Sequence, residues 1–204
     1  MKNYRIILGS FIVSALFLSS CQDIDLLPKD NMPDELFWKT PDDFEKEVNW
    51  LYTRTETFGT KDTDSDIAYE LNENTTSNGT LIAPNTDALW DSTFIDLRQS
   101  NIEKSQTYEG DPSEIERYVA EARFFRAYSH FRLMAKYNDI PILTKVLTVD
   151  SPELYGSRNK QQEVEDFILS ELNEVYAKLP LQSELSSDEA GRVTQGAALA
   201  LKAR

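Results

Sequence analysis

Residues Glu121–Leu143 read EARFFRAYSHFRLMAKYNDIPIL. At 100° per residue the apolar side chains of this stretch fall into two groups. Phe124, Ala127, Tyr128, Phe131, Met134 and Ala135 form one stripe. Ala122, Phe125, Leu133 and Tyr137 form a second on the opposite side, continued upstream by Ile115, Tyr118 and Val119. Charged residues fill the seams: Glu116, Arg123 and His130 along one, Glu121, Arg132 and Lys136 along the other. A surface helix carries a single apolar stripe. Two stripes predict a helix packed on both sides, as in a stack of helices. Asn138-Asp139 is expected to stop it, and Pro141 to keep it from resuming.

Outward from this helix, both flanks carry helix signals. Thr40-Pro41-Asp42-Asp43 reads as a helix start, with Thr40 as N-cap, Pro41 in the first position and Asp43 as the capping carboxylate. Phe44, Val48, Leu51 and Tyr52 follow at helical spacing. Leu89–Ile102 is periodic through Trp90, Phe94, Leu97 and Ile102, and Asp111-Pro112-Ser113 is a turn and cap before the central helix. Downstream, Ile142–Leu147 is expected to run extended. Asn159 is expected to cap a helix with Gln162 in the third position, and Val164, Phe167, Ile168, Leu172, Val175 and Leu179 give its stripe before Pro180. Thr194 is expected to cap a last helix whose Gly196, Ala197, Ala198 and Ala200 allow close approach. The fold class expected is all-α, with helix pairs and long irregular loops. From Glu56 to Asp87 periodicity vanishes; a polar segment of this length between helices is often functional. Its Asn74-Thr75-Thr76 and Asn78-Gly79-Thr80 read as turn chemistry.

Composition excludes several functions. A formal charge of −14 does not suit nucleic-acid binding, which needs clustered Lys and Arg. The only histidine, His130, sits on a charged seam and reads as a structural or surface residue. There is no Ser-His or Cys-His constellation, no Gly-rich phosphate loop and no His/Cys cluster with metal spacing, so no catalytic residue, cofactor or metal is expected. Among 35 Asp and Glu a carboxylate pair with glycosidase spacing arises by number alone. Three Trp, nine Tyr and ten Phe supply either a core or a sugar-binding surface.

The first residues read as targeting. Lys2 and Arg5 precede an apolar run, Ile6–Leu18, shorter than the roughly 20 residues a membrane span needs. It ends in Leu18-Ser19-Ser20-Cys21, which resembles a lipobox. Residues 1–20 are therefore expected to be a lipoprotein signal peptide, Cys21 the lipid attachment site and 21–33 a tether, with 34–204 the folded domain. The alternative is a plain secretory signal with an incidental cysteine. Being the sole Cys, Cys21 has no partner for an intramolecular disulfide within this sequence. Asp23 and Asp25 resemble an acidic signal that sends such lipoproteins to the outer surface.

Several strings resemble the SusD/RagB family of outer-membrane glycan-binding lipoproteins. They are F-W-K-T-P-D-D-F…L-Y from Phe37, W-x3-F-x2-L-x3-N from Trp90 to Asn101, E-A-R-F-F-R-A-Y…D-I-P-I-L, E-V-E-D-F-I-x3-L-N-E-V-x3-L-P from Glu163, and G-R-V-T-x-G-A-A-x-A-L from Gly191. Asn138 stands where the family's usual motif has Gly. The resemblance implies tetratricopeptide-like helix pairs, pairing 115–137 with 159–179 and then 194 onward. It implies a non-enzymatic protein of the outer membrane that binds oligo- or polysaccharides and delivers them to a TonB-dependent transporter. A helical-repeat adaptor for a protein partner is the alternative, and a surface glycosidase the third reading. The resemblance covers only the N-terminal part of the family's length, and the last helix is expected to be unfinished at Arg204. Carbohydrate contacts are expected at Tyr69, Asp87 and Trp90; Tyr69 could equally pin its loop, and Trp90 could equally belong to the core.

Overall fold

The computed structural model describes residues 37–55, 75, 78–82 and 85–204. Five α-helices are formed among them: α1 (Pro41–Tyr52), α2 (Ala88–Ser100), α3 (Glu116–Tyr137), α4 (Gln161–Tyr176) and α5 (Gln195–Ala203). Short 3₁₀ turns join them, and the described residues contain no strand, only an isolated bridge between Ile140 and Asn159. All five helices belong to one unit, Trp38–Arg204. None of the described helices is long and apolar enough to cross a membrane.

Helix α3 is the hub. It packs against α1, α2 and α4, and α4 in turn packs against α5. The all-α expectation holds, as does the pairing of the central helix with α4 and of α4 with α5. Ala122, Phe124, Phe125, Ala127 and Leu133 of α3 are buried with Val48 and Leu51 of α1, Leu97 of α2 and Val164, Ile168, Leu172 and Val175 of α4. Each fully buried Leu or Val contributes about 1.5–3 kcal/mol relative to exposure, so this continuous cluster holds the helices together. Two features depart from the two-stripe reading. Ala135 is exposed, and the seam residues Glu121 and His130 are both 0% exposed. A helix with neighbours on three sides has almost no solvent seam, so polar groups there are buried and must be paired.

Local chemistry sets the element ends. The Asp43 carboxylate accepts from the backbone N–H of Thr40 at 2.9 Å and from its hydroxyl at 2.8 Å, and Pro41 occupies the first helical position. Asn138 ends α3 with φ +61°, the only positive φ at a described residue other than glycine, which accounts for Asn where the family string has Gly. The start of α4 is one residue later than the sequence suggests. Lys160 is its N-cap and the Glu163 carboxylate accepts from the Lys160 N–H at 3.0 Å. Asn159 instead accepts from the Ile142 N–H at 3.0 Å, and Asp139 accepts from the Gln161 N–H at 3.0 Å. The Asp of D-I-P thus satisfies an otherwise unpaired N–H of α4.

The Gly191–Thr194 string is explained residue by residue. Gly191 has φ +95°, where a β-carbon is strained. Arg192 reaches Glu121, Val193 is buried and donates its N–H to the Tyr52 hydroxyl at 2.8 Å, and the Thr194 side chain caps α5.

Candidate functional site

One face of α2 presents Trp90, Phe94, Arg98 and Asn101, spaced three or four residues apart. Opposite run Pro141–Leu147 and the Glu153–Arg158 loop. Together they line a groove of about 420 Å³. The opposing wall is held by Asn101, whose side-chain N–H groups donate to the carbonyls of Lys145 at 3.2 Å and Leu143 at 3.4 Å. Arg126 donates to the Asn101 side-chain oxygen at 3.1 Å. The asparagine that ends W-x3-F-x2-L-x3-N therefore locks the extended segment to α2.

His130 supports the same segment from beneath. Its Nε2 accepts from the Leu143 N–H at 3.1 Å, so Nδ1 carries the proton and donates to the Arg126 carbonyl at 2.8 Å. Burial holds its pKa down at about 4, and the neutral ring fits both bonds. The imidazole is a structural clip, not a surface group. Beside it, Glu171 of α4 accepts from Arg123 at 2.5 Å and is paired with Arg126. The two arginines close over this buried carboxylate and brace α3 on α4.

Of the residues expected to contact carbohydrate, the structure places Trp90 in the groove lining, while Asp87, three residues before it, is not among the lining residues. Trp90 is half-buried in the groove wall; its ring meets Phe94 at 4.9 Å and Tyr137 edge-on at 5.0 Å, and the Arg158 guanidinium lies 4.8 Å from its centroid. Trp90 is thus at once a packing anchor and a surface residue. Asp87 is the N-cap of α2, accepting from the Leu89 N–H at 2.8 Å and from Lys136 at 2.6 Å. The Lys136 ammonium and then that N–H hold its carboxyl at about 2. Tyr69 and Cys21 lie outside the described residues, as does most of the 56–87 loop. Within that loop, Asn78 accepts from the Thr80 N–H at 3.0 Å, and Gly79 has φ +73°; the expected turn is there.

Sequence reasoning missed Arg98, Lys145, Glu153 and Arg158, which supply the groove's charges. Lys145 and Glu153 pair at 2.6 Å, and Lys145 holds the Glu153 carboxyl below its ordinary range. Tyr155, at 82% exposure, stands on the same loop beside the half-exposed Leu154. A large aromatic in a loop bounded by Pro152 and Gly156 was the available signal. Among the described residues no group of three His, Cys, Asp or Glu could hold a metal ion.

The family model of SusD-like proteins, described as starch-binding and associating with the outer membrane, matches residues 34–204. The chain belongs to the SusD-like family, whose members bind carbohydrate without catalysis. Two SusD-like proteins of Formosa agariphila are 26% and 28% identical to it, over 90% and 87% of this chain. The crystal structure of a SusD-like protein from Bacteroides fragilis superposes with a TM-score of 0.72 at 28% identity, over 87% of this chain. The chain spans 39% and 38% of the length of the two Formosa proteins and 37% of the Bacteroides chain.

Proposed function

We propose that the protein carrying this chain is a lipoprotein of the outer membrane, anchored through Cys21 and facing outward, that binds oligo- or polysaccharides and passes them to a TonB-dependent transporter. The observation that carries the glycan reading is the groove beside Trp90, in a chain of the SusD-like family. A concave site with an aromatic wall and a few convergent polar groups suits sugar binding. Trp90 forms the wall, Tyr69 on the preceding loop supplies a stacking platform, and Asp87 offers hydrogen-bond acceptance at the loop's edge. The lipobox-like Leu18-Ser19-Ser20-Cys21 supports the anchoring. Asp23 and Asp25 beside it, together with the family's association with the outer membrane, support outward delivery.

Calorimetry of the full-length protein against a panel of neutral and acidic oligosaccharides tests the ligand class. Saturable binding weakened by Trp90→Ala is the expected result; no affinity for any glycan overturns it. Co-purification of a TonB-dependent barrel with the tagged protein from detergent-extracted outer membranes tests the partner.

A further inference from the structure

The groove's charge is opposite to that of the chain. The whole sequence carries −14, yet the groove is lined by Arg98, Lys145 and Arg158 against the single carboxylate of Glu153. Lys145 and Glu153 neutralise each other at 2.6 Å. Arg98, on α2, spends one N–H on the Leu147 carbonyl at 3.0 Å. Arg158, on the opposite side, lies over Trp90. Neither arginine has a carboxylate within 4 Å among the described residues. Asp139 feels the charge of Arg158, but its carboxylate is already bound by Lys160 and by the Gln161 N–H.

From this arrangement we infer that the groove selects an acidic sugar, a pyranose bearing a carboxylate or a sulfate ester, with Arg98 and Arg158 as the groups that receive its charge. The inference rests on the glycan-binding reading and narrows it. A guanidinium offers a planar fork of N–H donors that matches both carboxylate and sulfate oxygens. A neutral sugar offers no anionic oxygen to either guanidinium, whereas an acidic one gives each a charged acceptor in place of water. The chain's overall negative charge does not cancel the local field, because screening limits exposed charges to roughly 8–10 Å at physiological salt. Trp90 and Phe94 provide the apolar flank against which a pyranose face can lie, while the acidic substituent points to the rim. Selection would therefore come from the arginines and contact area from the aromatics.

The test uses the full-length protein and three probes: tetragalacturonate, a sulfated carrageenan tetrasaccharide and neutral cellotetraose. Affinities are measured by calorimetry at 50 and 300 mM NaCl, on wild type, Arg98→Gln and Arg158→Gln. Both arginines are exposed, so both variants are expected to fold, and circular dichroism checks this. The expected result is preference for one acidic probe over cellotetraose, weakening with salt. Each substitution should then cost about tenfold in affinity for that acidic probe, the value of one charge-assisted hydrogen bond. Whichever acidic probe wins identifies the substituent as carboxylate or sulfate. Equal or better binding of cellotetraose, unchanged in both variants, overturns the acidic-sugar inference while leaving glycan binding intact. Absence of binding to all three probes and to the wider panel overturns both.

Discussion

Glu121, in the second turn of α3, and Arg192, in the turn before α5, form an ion pair at 3.2 Å across 71 residues of sequence, and the Glu121 side chain is wholly buried. The carboxylate also accepts from the Tyr52 hydroxyl at 2.6 Å and from Arg117 at 3.1 Å. Arg192 in turn donates to the Asn49 side chain at 2.8 Å. One buried carboxylate thus joins α1, α3 and the Gly191–Thr194 turn. Burial, then the charge of Glu121, pushes the Tyr52 hydroxyl well above the ordinary tyrosine range, so it remains a donor at any physiological pH.

Removing one partner of a buried pair leaves an uncompensated charge, a loss of about 3–5 kcal/mol. Arg192→Met should fall at the low end, because Arg117 still faces Glu121. Urea unfolding of the full-length protein is the measurement. A loss under about 0.5 kcal/mol, the level of an ordinary surface substitution, would sink the idea that this pair joins the helices.

This pairing also marks where sequence reading stops. The capping of α1 by Thr40 and Asp43, the left-handed stop at Asn138 and the turn at Asn78-Gly79 were legible because each depends on residues within four positions. The apolar stripes of α3 were legible because burial follows helical period. Glu121 and His130 were misjudged for the same reason: period assigns charged residues to a seam, and only the third neighbouring helix closes that seam. The α4 cap shifted because Asp139, far upstream in sequence, reaches Gln161. The groove was legible only through Trp90, since Arg98, Lys145 and Arg158 come from separate segments and no local pattern joins them.

Phe125 and Phe131 separate the two faces of α3. Phe125 is 4% exposed and meets Tyr52 and Phe124 edge-on at 4.8 and 5.6 Å. Phe131 is half-buried, with the Arg204 guanidinium 5.6 Å from its ring. Phe125→Ala should cost about 3–5 kcal/mol, as for an aromatic removed from a core. Phe131→Ala should cost less, about 1–2 kcal/mol, scaled to the smaller area it buries. Equal losses in chemical denaturation would show that both faces are equally enclosed in the full-length protein.

His130 predicts a pH dependence of fixed sign. Its pKa is about 4 when folded and 6.5 ordinarily, so between these values the unfolded chain binds the extra proton. Stability therefore rises with pH across this window. The contribution is complete above pH 6.5 and is lost as pH falls toward 4, about 3 kcal/mol in all at 1.36 kcal/mol per unit. NMR should find the His130 ring resonances unshifted from pH 7.5 to 5.5. A midpoint near 6.5 would mean that the ring is solvated and the clip to Leu143 absent.

Cys21→Ala tests the anchor. The variant should accumulate as unprocessed precursor or leave the membrane fraction, and should lose labelling by radioactive palmitate. Acyl chains contribute about 0.8 kcal/mol per buried methylene, so their loss cannot be offset by the acidic tether. Undiminished palmitate incorporation in the variant would rule out Cys21 as the attachment site.

Alanine substitutions separate the parts proposed for Tyr69 and Trp90 in sugar contact. Trp90 packs on Phe94 and Tyr137 and carries Arg158 over its ring. Its removal must therefore lower stability as well as glycan affinity. In sequence Tyr69 lies between Asp66 and Glu70, with Ile67, Ala68 and Leu71 also beside it and Asn72 beyond. As a stacking platform it should lower affinity alone, by about 1–3 kcal/mol as for a lost interface aromatic. Paired measurements on the full-length protein decide: calorimetry with the glycan bound by wild type, and thermal melts of the same samples. Tyr69→Ala with wild-type affinity removes Tyr69 from the site, and a lowered melting temperature in that variant identifies it as a pin for the loop. Trp90→Ala with wild-type stability would mean that its ring contacts contribute nothing to the fold and that the tryptophan serves the ligand alone.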